Sequence, residues 1–287
     1  MRFPDIFRRK KKKAVDSAPA LTKKNKVALC LGGGGARGFA HIGALKAFEE
    51  NGIEFDLCAG TSAGSLVGAF YCAGISPDQL AAYSHEINLK DVKPNSMFIP
   101  SDPLNIGEIF TRRMGNMYIE DMLRPFYCVS VDLVSGKQII FDKGPVKEAV
   151  SASCCVPLIF KPLVIGDMHL IDGGVLNNIP ASVCRMFGAD KVVTVDVNPT
   201  RGGGTNELGT IDVLKGMFSI MSAHTSVDGL RLSDVVISVD TAEYSSAKKD
   251  GYEEMMRRGY ETTIQKIEEI KACLLYTSDA ADDSLRV

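Results

Sequence analysis

The sequence predicts an α/β sandwich built on a largely parallel sheet. Three observations carry that expectation. Short apolar runs alternate with stretches of helical spacing, a strand–glycine turn–helix unit occurs twice in succession, and 287 residues at 45% hydrophobic composition are ample for a buried core.

The elements follow in order. Lys26 to Leu31 is a short apolar run that ends in four glycines, and Phe39 to Glu50 then carries helical spacing with Gly52 just beyond it. Phe55 to Ala59 is a second apolar run, followed by Gly60-Thr-Ser-Ala-Gly64 and a helix-like stretch, Ser65 to Ala73, stopped by Gly74. Further strands are expected at Tyr127 to Asp132, Gln138 to Phe141, Lys191 to Val197 and Asp234 to Val239, with a hairpin at Val164 to Ile171. Helices are expected near Val146 to Ser153, Pro180 to Phe187 and Tyr252 to Ala272. Residues 86 to 120 fit less well: three prolines mix with Met97, Phe98, Ile99, Met114 and Met117, the composition of a lid. Ile211 to Met221 reads as a Met/Phe-rich amphipathic helix suited to border an acyl-chain site.

Charge is distributed unevenly. The net charge is -2, yet the first 26 residues carry +8, leaving -10 for the rest. The run Arg8 to Lys13, preceded by Phe3, Ile6 and Phe7, suits peripheral contact with an anionic lipid surface, at about 1 kcal/mol per basic residue. A solubilising disordered tail is the competing reading. Nucleic acid is not an expected partner, because the folded remainder is acidic. No run approaches the roughly 18 to 20 apolar residues of a membrane span, and no leader precedes a cleavage site, so a cytosolic chain is expected, with any membrane contact on the inner face. Eight cysteines show no metal-ligand spacing and read as buried thiols; neither metal nor other cofactor is implied. The organisation expected is a basic tail over 1–25, one domain over 26–272, and a tail over 273–287 whose sequence departs from the preceding helix and reads as non-native.

Gly60-Thr-Ser62-Ala-Gly64 is a GxSxG sequence after a strand and before a helix, the setting of a nucleophile elbow. Glycines on either side permit a sharp turn that exposes the Ser62 hydroxyl at a helix N-terminus, where the dipole favours negative charge. A serine that merely caps the helix is the alternative. Gly32 to Gly35, continuing through Ala36-Arg37-Gly38, also follows a strand and opens a helix, and adjacent glycine amides form an anion site. Two uses compete for it. A dinucleotide-binding turn would need an acidic residue ending the second strand, but Asp56 begins that strand. An oxyanion hole made by the Gly33, Gly34 and Gly35 amides needs only that both loops lie at the C-terminal ends of neighbouring parallel strands.

A serine nucleophile needs a base. The four histidines, His41, His85, His169 and His224, stand in no recognisable catalytic setting. Asp172 does: Ile171-Asp-Gly173-Gly174 ends an apolar strand with a carboxylate and two glycines. Taken together, the glycine loop ending in Arg37-Gly38, the Gly60–Gly64 elbow and the distant Asp172-Gly-Gly resemble the patatin-like phospholipase family, above all its bacterial members. Ser151 to Pro162 also looks like the family segment between serine and aspartate. One departure is Gly32, where the family loop often begins with aspartate.

The resemblance implies a three-layer α/β/α sandwich and a Ser62–Asp172 dyad without histidine. It implies hydrolysis of fatty-acyl esters of phospholipids or lysophospholipids, with Arg37 bracing the loop or holding an anionic head group. A regulatory module of the same fold with incidental esterase activity is the alternative. A carboxylate base matches a serine proton poorly unless burial raises its pKa, so modest turnover and an alkaline optimum are expected.

Overall fold

The computed structural model describes residues 25–87, 100–198, 209–246 and 248–275, without the side chains of 210–212, 215 and 275. The two expected units open the fold. Strand β1 (Val27–Leu31) leads through a 3-10 turn (Gly35–Gly38) into α1 (Phe39–Glu50), and β2 (Leu57–Thr61) leads into α2 (Ala63–Cys72). Two helices not anticipated from the sequence come next, α3 (Pro77–Glu86) and α4 (Leu104–Met114). The first had a legible signal: Ser76 and Gln79 form a reciprocal capping box with Pro77 at the first helical position.

The chain continues through β3 (Phe126–Asp132), β4 (Lys137–Phe141), α5 (Val146–Ser153), the hairpin β5 (Leu163–Ile165) and β6 (Met168–Asp172), α6 (Ala181–Met186) and β7 (Lys191–Asp196). It ends with α7 (Thr210–Arg231), β8 (Val235–Ser238), α8 (Tyr252–Ile264) and α9 (Ile267–Leu275). The single helix expected over 252 to 272 is thus two, separated by a tight turn in which the Lys266 amide donates to the Thr263 carbonyl. Helix α9 runs to Leu275, so 273–275 continue a folded element; residues 276–287 lie outside the described residues, as do residues 1–24 of the basic tail.

One eight-stranded sheet has the order β5-β6-β3-β2-β1-β7-β8, with β4 on β3. Strands β3, β2, β1, β7 and β8 run parallel. Side chains alternate in β1: Val27, Leu29 and Leu31 enter a large core beneath α1–α5, α8 and α9, while Ala28 and Cys30 enter a smaller one beneath α6. The two cores on opposite sheet faces make three layers. On the large side α1 and α8 approach backbone to backbone, since a Cβ on Gly43 would lie 1.8 Å from the Met256 carbonyl and one on Gly259 1.9 Å from that of Ala40. All described cysteines are free thiols, seven of them buried and Cys273 half-buried.

The register of β3 creates the site. Strand β2 pairs along β3 in parallel and stops with Thr61 opposite Val129; antiparallel β6 pairs with its continuation and stops with Asp172 opposite Ser130. The C-terminal ends of β2 and β6 therefore meet head to head at consecutive β3 residues. Two residues 110 apart in sequence, Ser62 and Asp172, are delivered to one point. No helix among the described residues is long and apolar enough to cross a membrane.

Candidate active site

Ser62 follows β2 immediately and precedes α2, with φ 52° and ψ -126°. That left-handed conformation is costly for a non-glycine residue and is held by its surroundings. The Ser62 amide donates to the Ser153 hydroxyl at 2.9 Å, and its carbonyl accepts from the Ser65 amide at 2.8 Å and the Leu66 amide at 3.2 Å. The turn also requires bare backbone: a Cβ on Gly60 would lie 2.4 Å from the Gly64 carbonyl oxygen, and one on Gly64 2.2 Å from that of Leu31. The Ser62 hydroxyl caps nothing. A serine kept for capping would bond the amides of the first turn, so the capping alternative does not describe this residue.

Asp172 is 1% exposed. Its Oδ1 accepts from the Gly174 amide at 2.8 Å, and its Oδ2 is buried without a hydrogen-bond partner among the described groups. Burial pushes its carboxyl up to about 7, against the opposing pull of the Gly174 amide and of the Ser62 hydroxyl, which lies near the carboxylate but outside hydrogen-bond geometry with Oδ2. Gly173 lies against β3, where a Cβ would sit 2.3 Å from the Val129 carbonyl, and Gly174 is enclosed by Asn178, Asp172 and Ser222. The Thr225 hydroxyl donates to the Gly174 carbonyl at 2.9 Å, so α7 supports the aspartate turn from the small-core side.

The glycine loop corrects one expectation. The Gly33 amide donates to the Asn178 carbonyl at 3.1 Å and is spent on joining the loop to the segment after Asp172, so it is not an oxyanion donor. A Cβ on Gly33 would stand 3.3 Å from that of Ser62, so its contribution is close approach. Among the described residues the Gly34 and Gly35 amides have no acceptor, and Gly35, at φ 59°, lines the same cavity as Ser62. The amide of Ala63, at the first turn of α2, is likewise unspent; the position after a GxSxG serine was the signal for it.

Arg37 turns away from the serine. Its Nε donates to the Tyr244 carbonyl at 2.9 Å and its Nη1 to Asn198 Oδ1, while the Ala36 amide donates to the Ser246 carbonyl at 2.7 Å. These bonds tie the loop to two distant segments. Partial burial lowers the Arg37 pKa without neutralising it. Gly38 lets the loop sit on the nucleophile helix, where a Cβ would lie 2.6 Å from that of Ala63.

At Gly32, the brace is a histidine that sequence reasoning left without a role. Fully buried His41 donates from Nε2 to the Gly32 carbonyl at 2.8 Å, and burial pulls its pKa down to about 4, keeping the ring neutral. His85, His169 and His224 are exposed, and no histidine lines the cavity at Ser62. Asp56, whose place in the sequence argued against a dinucleotide site, accepts from the Val27 amide at 2.7 Å at the far end of the sheet from the glycine loop.

The cavity at Ser62 holds about 200 Å³ and is almost entirely apolar. Its walls come from α1 through α4 and from Cys154 to Phe160. Residues 88–99, with Met97, Phe98 and Ile99 of the expected lid, lie outside the described residues. Helix α4 forms one wall, with Phe110 fully buried and Ile106 and Ile109 facing the cavity. Among its described side chains, which leave out Ile211, Asp212 and Lys215, helix α7 contributes no lining residue, contrary to the expectation for Ile211 to Met221. Its Ser222, Ser226 and Gly229 face inward on the opposite sheet face, and Met217 and Ile220 are exposed. Cys154 borders the cavity beside Ser62, but burial, aided by the Asp172 charge, pushes its thiol up and leaves it a neutral wall.

A family model described as patatin-like phospholipase matches residues 29–185, a span that contains all three motifs. An uncharacterized NTE family protein of Mycobacterium tuberculosis is 35% identical over 184 residues, which cover 61% of this chain and 32% of that protein. Patatin-like phospholipase domain-containing protein 6 of Mus musculus is 36% identical over 183 residues, covering 60% of this chain and 14% of the other. The chain thus matches a third or less of the length of these two relatives. The crystal structure of VipD from Legionella pneumophila superposes with a TM-score of 0.58 at 12% identity, over 86% of this chain and 67% of that one, and shares the fold.

Proposed function

The chain belongs to the patatin-like phospholipase family, and from that premise we propose that it hydrolyses fatty-acyl esters of phospholipids or lysophospholipids through a Ser62–Asp172 dyad. The observation that carries this reading is the head-to-head meeting of β2 and β6 on β3, which sets a strained, uncapped serine beside a buried aspartate with an unpartnered oxygen. The mechanism follows from the chemistry of these groups. Ser62 Oγ attacks the ester carbonyl, and Asp172 Oδ2 takes the hydroxyl proton. The developing oxyanion is held by the amides of Gly34 and Gly35, with Ala63 from the nucleophile helix. Collapse returns the proton to the leaving alcohol, and water, deprotonated by the same carboxylate, releases the fatty acid.

Asp172 suits this work because burial brings its pKa to about 7, near the operating pH, where proton acceptance and return are both accessible. The absence of histidine from the cavity lining supports a dyad, and the apolar walls support a fatty-acyl substrate. The test is labelling of purified protein by a fluorophosphonate probe with the modified residue located by mass spectrometry. Labelling at Ser62, abolished in Ser62→Ala and slowed at least a hundredfold in Asp172→Asn, is the expected result; folded protein that is never labelled overturns the reading.

A further inference from the structure

The cavity follows one helix. Ala63, Leu66, Val67 and Phe70 repeat on a single face of α2, and all four line the cavity that begins at Ser62. At 1.5 Å per residue the distance from Ser62 to Phe70 along the helix is about 12 Å. Phe70 is the residue of that face farthest from Ser62. It is 1% exposed, and its ring is backed by Phe110 at 5.1 Å and Tyr83 at 5.8 Å between centroids, neither of which lines the cavity. The backing is itself held, because the Tyr83 hydroxyl donates to the Ile109 carbonyl at 2.7 Å and ties α3 to α4 behind the ring. The ring therefore cannot swing aside without displacing two helices.

The geometry points to Phe70 as an acyl-chain stop that limits the substrate to one medium-length chain. This inference rests on the hydrolase reading above and deepens it. An extended alkyl chain advances roughly 1.25 Å per carbon with bonds of about 1.5 Å, and helical side chains lean toward the N-terminus, so about eight to ten carbons reach from Ser62 to the ring. Within that length each methylene finds apolar wall, which is worth about a factor of four in kcat/KM. Beyond it an added methylene meets a packed ring and gains nothing.

The test uses the full chain and chromogenic esters of one alcohol with straight acyl chains from two to sixteen carbons. For the native protein kcat/KM rises with length to eight to ten carbons and then levels or falls. Phe70→Ala moves the break outward by about four carbons and raises the ratio of the fourteen-carbon to the eight-carbon ester at least tenfold, largely through KM. Val67→Phe, which adds a ring to the cavity lining one turn nearer Ser62, moves the break inward and remains informative should Phe70→Ala fold poorly. Alkyl fluorophosphonates of matching lengths, scored by labelling rate at Ser62, give a second readout free of deacylation. Length profiles that coincide in the native protein and both variants, while Ser62 still labels, overturn the stop and leave the hydrolase reading intact. Folded native protein that neither labels nor cleaves any ester overturns the hydrolase reading, and the stop falls with it.

Discussion

At Asp172 function and stability pull in opposite directions. The native state holds its proton up to about pH 7, whereas the unfolded chain releases it in the usual carboxylate range near 4. The folded protein thus binds more protons between those values, so the stability associated with this group is full below about pH 4 and declines until pH passes about 7. Asp172→Asn keeps the oxygen that accepts from Gly174 and removes the buried charge. It is expected to stabilise the fold by on the order of 2 to 4 kcal/mol at pH 8 and by about a third of that at pH 5, measured by urea unfolding at both values. Equal shifts at the two values contradict the burial account. The same titration shapes activity: kcat/KM rises about tenfold per pH unit below 7 and levels above it, and a profile centred below pH 5 excludes Asp172 as the base.

Ser153 is the other residue whose role the tertiary structure reveals. It bonds the amide of a serine held at φ 52°. Ser153→Ala leaves that amide unsatisfied in a buried site, at a cost of about 1 to 3 kcal/mol. The expected outcome is a lower unfolding midpoint together with slower Ser62 labelling; a loss of stability with labelling unchanged removes Ser153 from the site's support.

Among the elements, the contact between α1 and α8 is the one through which packing far from Ser62 reaches the glycine loop. Helix α1 begins where that loop ends, and it carries His41, which holds the Gly32 carbonyl. Gly259→Ala places a methyl 1.9 Å from the Ala40 carbonyl, so α1 and α8 must separate. A destabilisation of about 3 kcal/mol is expected from denaturant unfolding, with Ser62 labelling slowed as the loop shifts. A variant as stable as the native protein shows that the helices have room which the backbone contact denies. The elements themselves were legible to different degrees. Strands β1, β3 and β7 announced themselves as apolar runs because both of their faces are buried. Helix α4 did not, because its neighbours in sequence are prolines and methionines, and its amphipathic face has meaning only against α2, α3 and α5, which the fold brings to it.

For the whole molecule, the basic segment precedes in sequence the strand that carries the glycine loop. The tail joins β1 at Val27, and the glycine loop leaves the same strand after Leu31. If the +8 segment brings the domain to anionic lipid, deletion of residues 1 to 25 lowers hydrolysis of anionic vesicles at least tenfold and leaves a soluble short-chain ester unchanged, with the effect shrinking as salt is added. Equal loss on both substrates contradicts a membrane role for the tail.

The sequence by itself determined the alternation of strands and helices, the nucleophile-elbow setting of Ser62, and the candidacy of Asp172. These are local properties: a glycine two residues either side of a serine, a strand before and a helix after, are written in adjacent letters. Only the tertiary structure decided which backbone groups remain free and what the cavity admits. Gly33, Gly34 and Gly35 are identical letters, yet one amide is spent on Asn178, 145 positions away, and two are not. Likewise Met217 and Phe70 are both apolar helix residues, and the sheet sends one to the surface and the other to the end of the cavity. Spacing along a chain sets which residues share a face; what that face meets depends on contacts between segments far apart in sequence.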